Sequence, residues 1–280
     1  MTQPPPDQTL AALRQNIDRI DSDVHRLLME RGEIIEALIA IKARQGGGSA
    51  FRPGREAEMM RRIVSRHQGI LPVDTVESIW RIIISTFTFV QAHYAVHVDV
   101  STGEGAMRDS TRFHFGYSPP FIPERGADAV IAAVAQSGGD LGLVRVNSSA
   151  ADGPWWNGLS GDNAPKIIAR LPFVERPDHP AGTPIFVIAK PLAEAAATDV
   201  ELFTVQLDRW REPLSGALGA QDVALVGNAP NDYGLSLLLA APGPGGRARV
   251  ERALIGSGVG QAPIAFAGSH AARFEHAGNV

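Results

Sequence analysis

The stretch LAALRQNIDRIDSDVHRLLMERGEIIEALIAIK, residues 10–42, repeats apolar side chains three and four residues apart. This spacing predicts one amphipathic helix, which Asp7 or Thr9 would cap and the GGGS stretch at 46–49 would end. About 36 residues at roughly 1.5 Å each give a length of about 54 Å, which exceeds the diameter of a domain of this size. The apolar side chains form a stripe along the whole helix. A stripe of that length must be buried against another surface, and a second subunit is the simplest partner.

Two further helices follow. The second is expected to begin at Pro53, where proline at the first helical position sacrifices no hydrogen bond, and to end at Gly69. The third is expected to begin near Pro72 and to run to Tyr94, with apolar residues again at helical spacing. The three together predict an all-α domain over residues 1–97.

Charged and amide side chains occupy positions where these helices should be apolar. Arg31 and Lys42 belong to the apolar series of the first helix and are eleven residues apart, close to three turns, so they share one face. Arg55 and Glu56 precede the apolar face of the second helix by one turn, and Gln91 lies near the end of the third. We therefore expect three helices to direct polar groups toward a common interior.

The charges of this set indicate a ligand. Arg14 is rotated by about a quarter turn from Arg31 at 100° per residue, so it would complete such a site only across a subunit boundary. Three arginines and a lysine around one glutamate leave surplus positive charge, which a small molecule with two carboxylates would neutralise. Alternatively, each of these residues extends from a helix edge into solvent.

Four stretches resemble a known family: LAALRQNIDRID at 10–21, LLMERGEIIEALIAIK at 27–42, FRPGREAEMMRRI at 51–63 and IIISTFTFVQ at 82–91. As a set they resemble the helical class of chorismate mutase, over residues 8–95. The resemblance implies three helices per chain that interlock as a homodimer. It also implies isomerisation of chorismate to prephenate with neither a cofactor nor a covalent intermediate.

The resemblance assigns a role to each residue of the first helix. Arg14 would be donated by the neighbouring subunit to a substrate carboxylate. Arg31 would grip a carboxylate within its own subunit. Lys42 would reach a carboxylate and the ether oxygen of the substrate.

In the other two helices, Arg55 and Glu56 match the family's pair, with the glutamate at the ring hydroxyl, and Gln91 matches the glutamine that donates to the ether oxygen. Phe87 stands where some members have a serine, so a carboxylate contact is missing unless Thr88 replaces it.

A [3,3] rearrangement transfers no proton and needs no nucleophile or base. Donors at the ether oxygen would stabilise the charge that develops there in the transition state.

The rest of the chain has a different composition and hydrophobic pattern. Residues 98–111 are polar and aperiodic, which predicts a linker. From residue 112 glycine and proline are frequent, and strands at 140–146 and 184–189 with a helix at 126–137 predict a small α/β lobe over 112–193.

This lobe is faintly similar to part of prephenate dehydratase, whose E-N-S stretch would correspond to Val146-Asn147-Ser148 and whose T-R-F motif to Thr183-Pro184-Ile185-Phe186, without the arginine. We therefore infer no dehydratase activity. Asn147 and Ser148 are interpreted as loop caps rather than catalytic groups. Trp155 and Trp156 are interpreted as core or lid aromatics rather than a ligand platform.

Residues 198–272 show the element order βαββαβ, a ferredoxin-like pattern. They resemble an ACT domain, which implies either an amino-acid effector or a structural, dimerising role. The predicted fold is thus multidomain: an all-α N-terminal domain as an intertwined dimer, followed by an α/β region that ends in a ferredoxin-like unit.

Composition narrows the classes of function. A net charge of −4 argues against nucleic acid and anionic membranes as partners, and the absence of cysteine and of an HExxH pattern gives no support for a metal site. The chain contains no apolar run of membrane-spanning length and begins MTQPPPDQ, unlike a signal peptide, so a cytoplasmic protein is expected. Alternatives to a mutase are an isochorismate pyruvate-lyase and a non-catalytic regulator that binds an aromatic metabolite.

Overall fold

The structure is a computed structural model that describes residues 9–44, 51–146, 153–191 and 197–276, without the side chains of 42–44. Its contacts divide the chain into two compact units, Met1–Gly48 and Ser49–Val280. The predicted caps Asn147 and Ser148 and the GGGS stretch at 46–49 lie outside the described residues.

Helix α1, Leu10–Arg44, is the described part of the first unit and confirms the predicted helix. Thr9 begins it, because its hydroxyl accepts a hydrogen bond from the backbone N–H of Ala12 at 3.2 Å. Its polar face carries ion pairs such as Arg19–Asp23. Many of its apolar side chains are exposed, among them Leu10, Ile17, Ile20, Val24, Leu27, Ile34 and Ile41, whereas Leu28, Ile35 and Leu38 are half-buried. Much of the apolar stripe of α1 is therefore exposed.

Helices α2, Pro53–Arg66, and α3, Val73–Gln91, confirm the second and third predicted helices, and Pro53 opens α2 as expected. Both belong to the second unit. Their buried apolar residues, including Met60, Ile63, Val64, Val76 and Ile84, form one cluster with residues of the following sheet such as Val96, Val98 and Leu143. These two helices thus share a hydrophobic core with the α/β region.

The predicted linker over 98–111 was wrong as a description of secondary structure. Strand β1 covers Val96–Asp99 and helix α4 covers Glu104–Phe115. The buried face of α4 consists of Met107, Ser110, Thr111, His114 and Phe115. Because three of these five residues are polar, the helix lacks the apolar periodicity that would have indicated it.

A mixed sheet of nine strands forms the centre of the second unit. Its strands, in the order in which they lie side by side, are β2 Phe121–Glu124, β1, β3 Leu141–Arg145, β6 Ile185–Ala189, β4 Lys166–Leu171, β10 Ile264–His270, β7 Val200–Leu207, β9 Gly234–Pro242 and β8 Ala224–Asn231. β1 pairs in parallel with both β2 and β3, and helix α5, Ala127–Gln136, connects the latter two. A second, two-stranded sheet pairs β5, Val174–Glu175, with β11, Phe274–Glu275.

The two parts of the chain that were predicted as separate lobes share this one sheet. They join where β10 pairs with β4, with Gly268 opposite Ile167. Gly268 has a φ of +141°, and a Cβ there would lie 2.1 Å from the carbonyl oxygen of Ile167. Only glycine permits this approach of the two backbones.

Beyond the junction, the strands β7, β8, β9 and β10 and the helices α6, Leu214–Ala220, and α7, Gly246–Gly256, follow one another in the predicted order. The four strands lie side by side as β10-β7-β9-β8, and each neighbouring pair is antiparallel. The two helices share a core with the sheet that includes Phe203, Leu239, Val250 and Leu254.

Candidate active site

Three of the six predicted site residues lie on α1. Arg14 is exposed and Arg31 is half-buried, whereas of Lys42 only the place in the helix is described. At about 1.5 Å per residue, Arg14 and Arg31 are roughly 25 Å apart along the axis, and Arg31 and Lys42 roughly 16 Å. One small molecule cannot contact both Arg14 and Arg31 of the same helix. This spacing agrees with the expectation that Arg14 serves a site other than its own chain's.

The other three predicted residues lie on α2 and α3. Arg55 is exposed, while the neighbouring Glu56 points inward and is 5% exposed. Gln91 is half-buried in the last turn of α3, and its side-chain nitrogen donates to the backbone carbonyl of Phe87 at 2.9 Å. The meeting of these residues with those of α1 stays a prediction.

Glu56 is engaged by a residue that the sequence analysis missed. Nη1 of Arg81 donates to Oε2 of Glu56 at 2.7 Å, and the Arg81 side chain has no solvent exposure. Nε and Nη2 of Arg81 donate to the backbone carbonyl of His114, at 3.2 and 2.8 Å. The guanidinium carbon also lies 5.0 Å from the centre of the Phe173 ring. Arg81 therefore joins α2, α3 and the end of α4.

A signal for Arg81 exists in the sequence. The buried face of α3 in this unit consists of Val76, Glu77, Arg81, Ile84, Ser85 and Thr88, at helical spacing. The apolar series of this helix also includes Ile79 and Val90, which are exposed here at 45% and 50%. Two charged residues one turn apart, Glu77 and Arg81, mark the face that packs on the rest of the unit.

A second buried ionic group lies beside the first. Oε2 of Glu77 is 3.2 Å from both Nη2 of Arg176 and Nε2 of His179, and Arg176 also pairs with Asp74. The His179 ring stacks on that of His114, with centres 6.0 Å apart. Burial, followed by the charge of Arg81 and then the proximity of His179, holds the pKa of His114 well below its ordinary value. This layer fixes α3 against the segment that follows β5.

The aromatic pair interpreted as core is indeed buried. Trp155 and Trp156 are each 2% exposed, and the indole nitrogen of Trp156 donates to the hydroxyl of Ser236 at 2.8 Å. Among the described residues, no group of three His, Asp or Glu side chains is placed to hold a metal ion. Within the same ranges, no helix combines the length and apolarity needed to cross a bilayer.

The N-terminal third of the chain matches a known protein family. Residues 13–92 match the family Chorismate mutase type II, and all six predicted site residues lie within that range. This part of the chain is therefore similar in sequence to chorismate mutases of type II.

Two curated relatives bear the same name, bifunctional chorismate mutase/prephenate dehydratase. The protein of Neisseria gonorrhoeae is 29% identical over 164 residues, which is 52% of this chain and 44% of the relative. The protein of Pseudomonas aeruginosa is 28% identical over 145 residues, 50% of this chain and 39% of the relative. The chain thus spans less than half the length of these relatives.

Solved structures of prephenate dehydratases are also similar. That from Arthrobacter aurescens, in complex with L-Phe, has a TM-score of 0.43 and 13% identity, over 64% of this chain and 90% of that one. That from Streptococcus mutans has a TM-score of 0.39 and 10% identity, over 64% and 99% of the two chains. At these TM-scores the likeness carries no argument about activity.

Proposed function

We propose that this protein is a chorismate mutase, which rearranges chorismate to prephenate in the biosynthesis of aromatic amino acids, in the cytoplasm. The observation that carries the proposal is the family match over residues 13–92. By the resemblance, Arg14, Arg31, Lys42, Arg55, Glu56 and Gln91 would match the family's motif positions, and all six lie in that range.

The proposed mechanism uses binding and charge alone. Chorismate carries two carboxylates, and Arg14 of one subunit with Arg31 of the other would hold them, so that the flexible substrate is kept in its compact, reactive conformer. In the transition state a C–O bond breaks and negative charge grows on the ether oxygen. Lys42 and Gln91 would donate to that oxygen and stabilise the transition state more than the ground state. No cofactor takes part.

We assign a positioning role to Arg81. It holds Oε2 of Glu56 in a buried ion pair, which fixes the rotamer of the glutamate from behind. The other oxygen, Oε1, is the one we assign to the ring hydroxyl of the substrate. Arg55, exposed one residue earlier on α2, would meet a substrate carboxylate.

The proposed assembly is a homodimer that shares its sites. Two exposed apolar faces support it: the stripe of α1, and the face of α3 that carries Ile79, Ile82 and Val90. Unpaired apolar stripes of this length are buried in stable proteins, and a second copy carries the complementary stripes. Sedimentation velocity should give a dimer, which Ile20→Asp and Ile34→Asp should dissociate, whereas Ser22→Asp on the polar face should not. Dissociation by neither change would count against the dimer.

For the remainder of the chain, we propose a small α/β lobe at 112–193 without dehydratase activity and a ferredoxin-like, ACT-like unit at 198–272. The strand order β10-β7-β9-β8, with antiparallel neighbours and two helices on one face, supports the ferredoxin-like assignment. An ACT-like unit would bind an amino-acid effector. Thermal shifts with L-phenylalanine and L-tyrosine test this role, and failure of both to raise the melting temperature favours a structural one.

The decisive assay for the reaction follows the loss of chorismate absorbance with purified protein and identifies the product. Prephenate supports the mutase. Pyruvate formed from isochorismate identifies the lyase, and binding of chorismate without turnover identifies a regulator. Phenylpyruvate formed from added prephenate would refute the inference that the α/β lobe lacks dehydratase activity.

A further inference from the structure

A cavity of about 720 Å³ lies in the second unit, where β11 pairs with β5. Three arginines line it: Arg170 from β4, Arg176 after β5, and Arg273 just before β11. Three prolines, Pro172, Pro177 and Pro184, supply apolar wall. Its volume is that of a typical small-molecule site, and none of its lining residues belongs to the chorismate mutase domain.

Three buried side-chain nitrogens in this wall lack a hydrogen-bond partner among the described residues. Nε of Arg170, Nε of Arg176 and Nε2 of His276 are inaccessible to solvent and have no hydrogen-bond partner among the described residues. Two of these atoms belong to arginine side chains, so hydrogen bonding to the Arg170 and Arg176 guanidinium groups is incomplete.

The internal carboxylates satisfy these arginines only in part. Glu175 is shared by two of them: Nη1 of Arg273 is 2.7 Å from Oε2, and Nη2 of Arg170 is 3.4 Å from Oε1, a long contact. Burial lowers the pKa of Arg170, and the neighbouring charge of Arg273 lowers it further. Arg176 is paired with the buried Glu77 and with Asp74. Glu275 also lines the cavity, but it is exposed.

We propose that this cavity binds a small monocarboxylic acid with a compact apolar body. Its carboxylate would accept hydrogen bonds from Arg170 and Arg273, and its body would lie against the prolines. Arginine is suited to carboxylates because its planar donors match the two oxygens. A doubly charged phosphate would face Glu175 and Glu275 at close range, so the wall favours the single charge. Residues 273–276 form one side of the site, and an occupant would hold this segment on β5.

Isothermal titration calorimetry with benzoate tests the proposal on the full chain, with inorganic phosphate and benzyl alcohol as comparison probes. We expect benzoate to bind with a Kd of about 1 mM or tighter, and phosphate and benzyl alcohol to bind at least tenfold more weakly. Arg273→Gln, a change at a half-exposed residue that the fold should tolerate, should weaken benzoate binding at least tenfold. Arg170→Gln should do the same, and the exposed control Arg247→Gln should leave the Kd unchanged.

Glu175→Gln separates a ligand site from a structural ion pair. It removes the internal competitor for Arg170 and Arg273, so benzoate should bind more tightly than to the wild type, even where the melting temperature falls. The proposal is overturned if folded wild-type protein shows no saturable benzoate heat, if phosphate binds more tightly, or if Arg273→Gln binds benzoate as well as the wild type does. The readout is binding and not turnover, so this result and that of the mutase assay are independent.

Discussion

Nη1 of Arg81 lies 2.7 Å from Oε2 of Glu56, and both side chains are buried. The same carboxylate holds α2 to α3 and is assigned to the ring hydroxyl of the proposed substrate. Its geometry therefore depends on a residue that need not touch the substrate.

Removal of the arginine leaves an uncompensated buried carboxylate. We expect Arg81→Met to lower the free energy of unfolding by about 3–5 kcal/mol, as measured by urea denaturation. Arg247→Met, which breaks an exposed pair with Glu251, is the matched control and should cost no more than about 1 kcal/mol. A loss of similar size in both variants would mean that the Glu56–Arg81 pair is not a fixed element of the fold.

The two parts of the nine-stranded sheet join where the backbone of Gly268 in β10 lies close to that of Ile167 in β4. Gly268→Ala would place a methyl group against the carbonyl of Ile167 at a φ that L-residues avoid, which should cost about 1–3 kcal/mol or more. Gly105→Ala in α4, where a Cβ meets nothing within 4 Å, should be neutral or slightly stabilising. Equal melting temperatures for the two variants would contradict the close contact of β10 with β4.

The buried side chain of His270 should make the protein less stable in acid. Burial lowers its pKa to about 4, so between this value and its ordinary pKa of about 6.5 the unfolded chain binds a proton that the folded chain does not. This residue should therefore cost about 2–3 kcal/mol of stability as the pH falls from about 7.5 to 4.5. Denaturation of His270→Gln at both values should show a correspondingly smaller loss, and His25→Gln, an exposed control, should behave as the wild type. An unchanged acid loss in His270→Gln would refute the assignment.

The proposed sharing of each site between two subunits predicts complementation. Arg14→Ala and Lys42→Ala chains should each be inactive, because each dimer then has two damaged sites. A mixture that has exchanged subunits should regain up to about a quarter of the wild-type activity, since half of the dimers are mixed and each of these has one intact site. Absence of recovery, with exchange shown by mass spectrometry of differently tagged chains, would place Arg14 and Lys42 in the same chain's site or in none.

Helices α1, α2 and α3 were predictable because each carries a long, regular apolar pattern. Their starts are marked by Thr9, Pro53 and Pro72. The order of strands and helices over residues 198–272 was likewise predictable, because its strands are short apolar runs between glycines and prolines. Helix α4 was not, since Ser110, Thr111 and His114 interrupt the face that it buries.

The ionic layer around Arg81 and Glu77 could not be inferred from spacing alone. Its partners Glu56, Arg176 and His179 lie between 25 and 102 residues away along the chain. A charge on a helix face indicates burial only once the packing surface is known, and here that surface is supplied by α2, by the end of α4 and by the segment after β5. The joining of two lobes into one sheet through Gly268 is a long-range pairing of the same kind.

The most direct test of the central claim is the turnover of chorismate by the wild type and by Lys42→Ala, with circular dichroism to show that helix content is equal. We expect the wild type to form prephenate and the variant to lose about 10²–10³ in rate or more, because the donor at the ether oxygen is gone. Full turnover by Lys42→Ala, or no turnover by the folded wild-type dimer, would contradict the account.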